Sequence, residues 1–437
     1  MFRLFSHLWS VLALFIALAS FNKVEAKKHN DTSITLGWIM DHMGSSTNYP
    51  SYKFRHTVKD DITKEYDLEQ IQMIIRHGTR YPVSGDVEAI HDSIAKLKES
   101  KAHLPWLKAV HDYNMYYEGL LNSRGQMEHY LMGQRLAIRY PEFIKNLTYE
   151  GIISPQFTAY SSWSTRTSQS GHSFCMGAFK GQGHLGSDHA MGVPLLSYQE
   201  NNDTLIAFHK ACPKWKKYGK SITKEKTEFV HDKYLKPIAS RLSGNLGLNI
   251  STDDVENFYS ACQAEVSLYQ KANTFCQLLT KQDVLNLEYI EDLKHYYKYS
   301  YGIPELNEDM ACDLGKDLIE NMNNTIDVKL NLKFGHTETL LPFRTLLGLY
   351  NDTLSSSSTE SEIEHRSFKL SKFGFYANNL MFQVLKHKST KEKFVRVMEN
   401  EEVILFPGCK QKVCPIDQFY AYMKPRISCD FTKNCSL

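Results

Sequence analysis

The sequence predicts an α/β protein, because short apolar strands alternate with stretches that have the periodicity of helices. The first strand ends in an apolar run at residues 71–75, and two more strands are expected over residues 156–162 and 328–334. Each strand is followed by a turn and then by apolar residues spaced three and four apart, which favours a helix. This order is typical of a sheet with helices packed against it.

The helices differ in how clearly the sequence defines them. Tyr140 and Pro141 end the second one, because proline cannot continue a helix. Residues 181–324 are predicted to be mainly helical and are locally basic, whereas residues 355–364 form a loop rich in serine and glutamate. The individual helices are predicted over residues 86 to about 117, 123–140, 165–176 and 283–301, and from residue 339 onward.

Composition limits the classes of partner. The chain has 437 residues, of which 42% are hydrophobic, so it can bury a large core. Its formal net charge is only +2. Such a balance argues against a nucleic-acid-binding protein or a general polyanion binder, so attraction for a phosphorylated ligand has to come from charges clustered in one place.

Residues 1–26 have the features of a secretory signal peptide that is cut after Ala26; the alternative is an uncleaved anchor, which the shortness of the apolar run disfavours. Arg3 precedes an apolar run over residues 8–21, and small residues precede Lys27. No later run is long and apolar enough to cross a membrane, so we expect no stable membrane insertion once the signal is removed. The mature protein is expected in the lumen of the secretory pathway and, by preference, outside the cell. Asn-X-Ser/Thr sequons agree with that compartment and lie at Asn30, Asn146, Asn202, Asn249, Asn323, Asn351 and Asn434.

Cysteine usage also favours an oxidising compartment. The chain has nine cysteines and no Cys-X-X-Cys pair, which favours disulfides over a zinc site. Cys262 with Cys276, and Cys409 with Cys414, would close short loops. An odd count leaves one thiol over, and Cys175 is the expected one because it lies on the apolar face of a helix. The pairing of the other four cysteines stays open.

The chemistry is expected in residues 76–82, Arg-His-Gly-Thr-Arg-Tyr-Pro, which follow the first strand. Arg76 and Arg80 flank His77 in a turn built on a glycine, so two guanidinium groups would converge where the imidazole points, as suits a phosphate. Gly78 lets the backbone approach the ligand closely, and His77 would attack phosphorus in line. The alternative is that both arginines lie on a solvated surface and His77 is a polar residue at a strand end.

The two later strand ends offer further groups for the same ligand. Arg166 lies where the second strand gives way to a helix, a place that suits an anion. After the third strand, His336 and Glu338 supply an imidazole and a carboxyl group two residues apart. Taken alone, Arg166 could be a surface residue, and the His-Glu pair could cap a helix.

The motif at residues 76–82 resembles the signature of the histidine phosphatase superfamily in its acid phosphatase branch. Residues 121–125 and Arg166 stand where that branch has related elements, although residue 122 is Asn where the branch has Thr. The helix at 287–302 and the run 335–342 resemble multiple inositol polyphosphate phosphatases in particular, with Thr337 where that family commonly has Ala.

This resemblance implies a fold and a division of the chain. It implies an α/β catalytic domain with a central, mostly parallel but mixed sheet flanked by helices, and with both active-site turns at the carboxyl ends of strands. Residues 27–180 and 325–437 would form this domain. Residues 181–324 would form a mainly helical cap domain inserted between strands.

The resemblance also implies a role for each residue. His77 would be the nucleophile that forms a phosphohistidine, and Glu338 would protonate the leaving alcohol and then activate water. Neither a metal nor another cofactor is expected, because side chains would neutralise the phosphate. Phytate and lower inositol phosphates are the implied substrates. The phosphate oxygens would be held by Arg76, Arg80, Arg166 and His336.

Two other functions stay open. The chain could be a broad acid phosphatase for small phosphomonoesters, since the same catalytic residues serve both activities. A secreted protein that only binds phosphorylated ligands is a further alternative, which the complete set of catalytic residue types disfavours. In each case the partner is a small phosphorylated molecule rather than a nucleic acid, and the oligomeric state is not defined by the sequence.

Overall fold

A mixed β-sheet lies at the centre of the computed structural model, which describes residues 34–54 and 57–437. The predicted signal peptide, residues 1–26, lies outside the described residues. The strands are β1 (Tyr66–Arg76), β2 (Thr148–Tyr149), β3 (Ile152–Ile153), β4 (Phe157–Ser161), β5 (Leu196–Ser197), β6 (Leu330–Gly335), β7 (Asn379–His387), β8 (Lys393–Glu399), β9 (Glu402–Val403) and β10 (Val413–Pro415).

The strand order explains why the sheet is mixed. In the described part of the chain the order is β10-β8-β7-β1-β6-β4-β5, with β9 on β8, while β2 and β3 form a separate ribbon. Strands β1, β6, β4 and β5 pair in parallel. Strand β7 lies antiparallel to β1 and is joined to β8 by a short turn, so that half of the sheet is antiparallel. The predicted α/β class with a central mixed sheet is confirmed.

The parallel register places three chain turns at one edge of the sheet. Arg76 lies opposite Gly335 across the β1–β6 pair, and Ser161 lies opposite Phe334 across the β4–β6 pair. Because parallel strands end at the same edge, the residues that follow β1, β6 and β4 meet there.

Helices cover both faces of this sheet. They are α1 (Leu36–Ile39), α2 (Ser84–Lys98), α3 (Ser123–Arg139), α4 (Pro141–Lys145), α5 (Thr165–Ala178), α6 (Phe208–Ala211), α7 (Pro213–Val230), α8 (Lys236–Leu246), α9 (Thr252–Tyr269), α10 (Lys281–Tyr299), α11 (Pro304–Asn323), α12 (Thr337–Leu346), α13 (Glu360–His365), α14 (Leu370–Phe373), α15 (Ile416–Met423) and α16 (Phe431–Cys435). None of the helices in the described ranges has the length and apolarity needed to span a bilayer.

Strand β1 is buried on both faces, which identifies it as a central strand. Ile74 belongs to an apolar cluster with the helices between residues 208 and 323. Ile71, Met73 and Ile75 point to the opposite face and pack with side chains of α3 and α5. Each such side chain, fully buried, contributes about 1.5–3 kcal/mol relative to exposure. The sheet end that carries Arg76 is therefore fixed from two sides.

Two predicted segments differ from the structure. The helix expected from residue 86 to about 117 ends at Lys98, and two short 3₁₀ turns follow, at Pro105–Ala109 and Met115–Tyr117. After Lys98 the chain turns away, and the hydroxyl of Ser100 and the N–H of Lys101 donate to the carbonyl oxygen of Leu246 instead of continuing the helix. Pro105 opens the first 3₁₀ turn, where its missing N–H prevents the helix from continuing through it. Part of the predicted loop 355–364 forms the start of α13, where the side chain of Thr359 accepts a hydrogen bond from the N–H of Glu362.

Four disulfides hold the described chain together. The predicted bonds Cys262–Cys276 and Cys409–Cys414 are confirmed, and Cys175 is the buried free thiol. The two remaining bonds link the last residues to distant helices. They are Cys212–Cys435 and Cys312–Cys429. Loop closures over such long separations stabilise a folded chain chiefly by restricting the unfolded one.

The helical segment, α6 to α11, lies between β5 and β6 in the chain order. Its apolar residues share one cluster with a face of the sheet, and residues 34–437 form one compact unit. The division into a catalytic domain and a cap domain at residues 181 and 324 stays a prediction.

Candidate active site

Arg76 ends β1 and is held in place by backbone carbonyl groups. Its Nη1 donates to the carbonyl oxygens of Ser45 at 2.6 Å and of Gly374 at 2.9 Å. The guanidinium group also stacks on the ring of Tyr376, with its Cζ atom 4.6 Å from the ring centroid. Burial lowers the pKa of Arg76 to about 10, so the group stays charged at neutral pH. A buried cation that is held only by neutral carbonyl groups is preorganised to bind an anion.

His77 follows in the turn and presents one unprotonated nitrogen. The side chain is 3% exposed, and its Nδ1 lies 2.9 Å from the carbonyl oxygen of Gly78. A carbonyl only accepts hydrogen bonds, so Nδ1 carries the proton. Burial lowers the pKa of His77 well below its ordinary value, and the charges of Arg166 and Arg76 lower it further. The neutral ring therefore carries its lone pair on Nε2, as a nucleophile must.

The turn after His77 is locked to the start of helix α3. A Cβ atom on Gly78 would lie 2.5 Å from the carbonyl oxygen of Gly125, so only glycine fits this contact. The buried carboxylate of Glu128 accepts hydrogen bonds from the backbone N–H and the hydroxyl of Thr79, both at 2.8 Å. These contacts fix the backbone on which His77 stands.

Arg166 and Arg80 are two further cations whose charges lower the pKa of His77. Arg166 lies in the first turn of α5, and its Nη2 is 3.4 Å from Nδ1 of His336. Burial lowers the pKa of Arg166, and the charge of Arg80 lowers it further. Arg80 is half-buried and donates from Nη1 to the carbonyl oxygen of Tyr81 at 2.7 Å. The influence of Arg80 on the pKa values of Arg76 and Arg166 places it in the same electrostatic field.

His336 lies directly after β6, beside His77. The centroids of the two imidazole rings are 5.4 Å apart, and Nε2 of His336 is 2.7 Å from the hydroxyl oxygen of Ser162. Arg166 is a donor, so Nδ1 of His336 accepts from it and Nε2 donates to Ser162. Burial lowers the pKa of His336 well below its ordinary value, which agrees with this neutral form.

Glu338 lies in the first turn of α12, two residues beyond His336. Burial would raise its pKa, but the nearby His209 and His336, its own backbone N–H and Arg76 outweigh burial and hold the pKa below its ordinary value. The carboxyl group is therefore ionised in the ligand-free site. The pKa of Tyr299 is raised well above its ordinary value by burial and by its hydrogen bond to this carboxylate.

The structure thus brings all six predicted residues to one edge of the sheet, and it adds side chains that the sequence did not indicate. Arg166, His336 and Glu338 line a polar cavity of about 310 Å³, which also contains His209. Arg80 and Tyr376 line a second cavity of about 400 Å³. Over residues 34–54 and 57–437, no group of three or more His, Cys, Asp or Glu residues is arranged to hold a metal ion.

The family follows from the sequence as a whole. Residues 67–400 match the family model described as histidine phosphatase superfamily (branch 2), a range that contains the six residues and most of the chain. The chain belongs to the histidine phosphatase superfamily, branch 2. It is therefore a histidine acid phosphatase, an enzyme that acts on phosphate esters.

Two curated relatives and one solved structure show which histidine acid phosphatases this chain is similar to. Multiple inositol polyphosphate phosphatase 1 of Dictyostelium discoideum is 28% identical over 426 residues, which cover 82% of this chain and 66%, just under two thirds, of that protein. Acid phosphatase PHO12 of Saccharomyces cerevisiae is 23% identical over 422 residues, 91% of this chain and 86% of that protein. The crystal structure of the phytase from D. castellii matches with a TM-score of 0.75 at 19% identity, over 94% of this chain and 91% of that one. At this identity the structural likeness shows the fold.

Proposed function

We propose that this enzyme hydrolyses phosphomonoesters of inositol through a phosphohistidine on His77, and that phytate and lower inositol phosphates are its substrates. The observation that carries the proposal is the state of His77. The ring is neutral, its Nδ1 is bonded to the Gly78 carbonyl, and its Nε2 is left for attack beside two arginines and a second imidazole. A surface histidine would be constrained in none of these ways.

The phosphate would be held by the groups around His77. Arg76 and Arg166 are charged donors, and His336 lies within 3.4 Å of Arg166. Arg80 adds a fourth positive or donor group from the turn itself. Several fixed donors around one phosphoryl group stabilise the charge that it carries in the transition state, because they need no reorganisation when the bond breaks.

The reaction would proceed in two displacements. Nε2 of His77 attacks phosphorus, the P–O bond to the inositol oxygen breaks, and that oxygen takes a proton from Glu338. Water then attacks the phosphohistidine and gives a proton to Glu338, the P–N bond breaks, and inorganic phosphate leaves. Glu338 is ionised in the free site, and the negative charge of a bound phosphate dianion raises its pKa, so substrate itself favours the protonated acid.

The substrate class rests on the relatives. The Dictyostelium protein is named for inositol polyphosphates and the D. castellii structure is a phytase, and both match most of this chain. The yeast relative is named an acid phosphatase, so a broad activity on small phosphomonoesters is the competing specificity. The reaction class is the same in both.

The experiment is to measure phosphate release from phytate and from p-nitrophenyl phosphate by the purified protein, with inositol products identified by chromatography. His77→Ala should lose both activities, whereas His172→Ala, which changes an exposed histidine on α5, should retain them. Rapid acid-free quenching with labelled substrate should trap a phosphoenzyme that is stable to alkali and absent from His77→Ala. Label on a carboxyl or serine residue would overturn the nucleophile, and turnover of p-nitrophenyl phosphate alone would overturn the substrate class.

Secretion belongs to the same proposal. The four disulfides support passage through an oxidising compartment. Expression in a eukaryotic cell should release the enzyme into the medium with Lys27 as its first residue, as N-terminal sequencing would test. Retention inside the cell with an intact N-terminus would contradict it.

A further inference from the structure

A buried histidine beside Glu338 is left unexplained by the mechanism above. His209 lies in α6, is 6% exposed and lines the cavity of about 310 Å³ together with Glu338. Its Nδ1 is buried and has no hydrogen-bond partner within the described residues. A buried polar nitrogen without a partner is costly, so its retention calls for a reason.

Four contacts fix the segment that carries His209 relative to the start of α12. The hydroxyl of Thr339 accepts a hydrogen bond from the N–H of His336 at 3.0 Å and donates to the carbonyl oxygen of Ile206 at 2.5 Å. The carboxylate of Asp203 accepts from the N–H of Ile206 at 2.7 Å. The disulfide of Cys212 fixes the far end of α6. The same hydroxyl thus positions both the turn that carries Glu338 and the segment that carries His209.

The surroundings of His209 are mixed in charge, and Glu338 has the largest effect on it after burial. Burial lowers the pKa of His209 to about 4, while the carboxylate of Glu338 raises it and Lys210 lowers it. The ring of His336 is 6.1 Å away, measured between centroids, and the ring of Trp215 is 6.2 Å away. The remaining charged groups that face His209 are Glu200 and Lys298.

We propose that His209 is a positioning residue that acts through Glu338, and that the two side chains together hold the proton for the departing alcohol. This inference rests on the proposed role of Glu338 as the acid. With substrate bound, the negative charge of its phosphate raises the pKa of both groups, so the pair carries one proton before bond cleavage, on the imidazole or on the carboxyl group. That proton passes to the leaving oxygen as the P–O bond breaks, and the pair regains a proton from the attacking water. The reaction needs water and no oxidant, reductant or further reactant.

The pairing gives the site an acid that the carboxyl group alone would not supply. Burial would raise the pKa of Glu338, but His209, His336, its own backbone N–H and Arg76 together hold it below its ordinary value, which favours the ionised form. A neighbouring imidazole offers a second place for the proton, so the pair keeps it at a pH where an isolated carboxyl group in this field has lost it. His209 is therefore expected to matter for leaving groups that need protonation and to be dispensable for those that do not.

The test compares His209→Phe with His209→Gln on p-nitrophenyl phosphate, phenyl phosphate and 2-glycerophosphate, using kcat/KM, which reports the steps through P–O cleavage. We expect kcat/KM for 2-glycerophosphate to fall about 10- to 100-fold in both variants, and that for p-nitrophenyl phosphate to fall less than about 3-fold. His209→Gln keeps a hydrogen-bonding side chain but cannot carry the proton. Full recovery in His209→Gln, or equal losses on all three substrates in both variants, would overturn the proposal in favour of a packing role.

A double-mutant cycle separates action through Glu338 from direct action on substrate. In a Glu338→Gln background, His209→Phe should cost less than about 2-fold in kcat/KM for 2-glycerophosphate, because the acid it supports is already gone. A full additional loss in that background would mean that His209 contacts the substrate itself and would overturn the inference.

Failure of the proposed mechanism would look different. If Glu338→Gln alone showed no preference between leaving groups, Glu338 would not be the acid, whatever His209 does. If Glu338→Gln lost 2-glycerophosphate selectively and His209→Phe did not, only the role of His209 would be wrong. Circular dichroism and the melting temperature of each variant establish that the fold is retained.

Discussion

The two sides of the site are built from different parts of the chain. The phosphate side comes from the ends of three parallel strands and the turns after them, and consists of Arg76, His77, Arg80, Arg166 and His336. The leaving-group side, which is Glu338, His209 and Tyr299, combines the start of one helix with two side chains from the helical segment. On the proposed mechanism, the sheet fixes the chemistry at phosphorus, and the contacts made by the departing alcohol depend on how the helical segment packs.

The two sides also differ in how their groups are restrained. Arg76 is bonded to two backbone carbonyl groups, and His77 and Thr79 are tied to the backbone of the turn and to Glu128. On the other side, Nδ1 of His209 has no partner among the described residues. The groups of the phosphate side are held by the backbone and can therefore shift little. The leaving-group side uses side chains from the helical segment, whose shape can differ between relatives that share the same chemistry.

The largest selective effect is expected on the leaving-group side, from Glu338→Gln. Without an acid, P–O cleavage should slow about 10²- to 10⁴-fold for phytate or 2-glycerophosphate and much less for p-nitrophenyl phosphate, whose leaving group needs little protonation. Steady-state kcat/KM on the three substrates would measure this. Equal losses on all of them would remove Glu338 from its role and with it the distinction between the two sides.

A smaller and non-selective effect is expected on the phosphate side, from Glu291→Gln. The carboxylate of Glu291 accepts hydrogen bonds from the N–H and the hydroxyl of Ser45, at 2.9 and 2.6 Å, and the carbonyl of Ser45 in turn holds Arg76. Both bonds go to Oε1, while Oε2 of Glu291 accepts from Nε2 of Gln263 at 2.8 Å. An amide cannot accept at both positions, so its NH2 group would face a donor, and Ser45 and the guanidinium group should shift. We expect kcat/KM to fall about 10-fold on every substrate, as for a misplaced binding group.

The control for this change is Glu320→Gln, which makes the same substitution at an exposed position on α11 and should have no effect. A loss in Glu291→Gln that depended on the leaving group would mean that Glu291 serves the opposite side of the site. A raised KM with an unchanged kcat would place the defect in substrate binding.

The phosphate side could be predicted from the sequence because each of its residues lies just after a strand that the sequence itself indicates. Residues 76–82 follow one apolar strand, Arg166 follows a second, and His336 follows a third. Once the strands pair in parallel, their ends meet without any further information. The same local logic failed for the helix expected from residue 86 to about 117, where apolar spacing continued past Pro105 although the backbone could not.

On the leaving-group side the sequence indicated Glu338 but neither His209 nor Tyr299, because contacts between residues far apart in the chain place these two. His209 is one histidine in a lysine-rich stretch, with no neighbouring pattern to mark it. The hydrogen bond from Thr339 to the carbonyl of Ile206 spans 133 positions, and the disulfide from Cys212 to Cys435 spans 223. Pairing of Cys212 and Cys312 with the last cysteines was likewise left open by spacing alone, although it is what ties the helical segment to the end of the chain.

The smallest effect is expected from a histidine that is as buried as His77 but belongs to neither side. His129 on α3 is fully buried near Phe334, with 6.0 Å between ring centroids, and burial lowers its pKa to about 3. Its ordinary pKa is near 6.5, so below that pH the unfolded chain binds a proton that the folded chain does not. Stability from this residue is complete above pH 6.5 and is lost as pH falls, by about 1.4 kcal/mol per pH unit.

His129→Phe removes this titration while filling a similar volume. Between pH 7 and pH 5, the free energy of unfolding from urea titration should therefore fall by about 2 kcal/mol less in the variant than in the parent. His77 and His336 are present in both proteins, so their effect on the pH dependence cancels in this comparison. The exposed His172→Phe should leave the parent's pH dependence unchanged. Any change of kcat/KM in His129→Phe should be the same for 2-glycerophosphate and p-nitrophenyl phosphate, because His129 lies outside the cavity that contains Glu338. If His129→Phe and the parent lost the same free energy of unfolding between pH 7 and pH 5, the His129 ring would be protonated in the folded parent. If His129→Phe lowered kcat/KM more for 2-glycerophosphate than for p-nitrophenyl phosphate, His129 would also take part in protonating the leaving group.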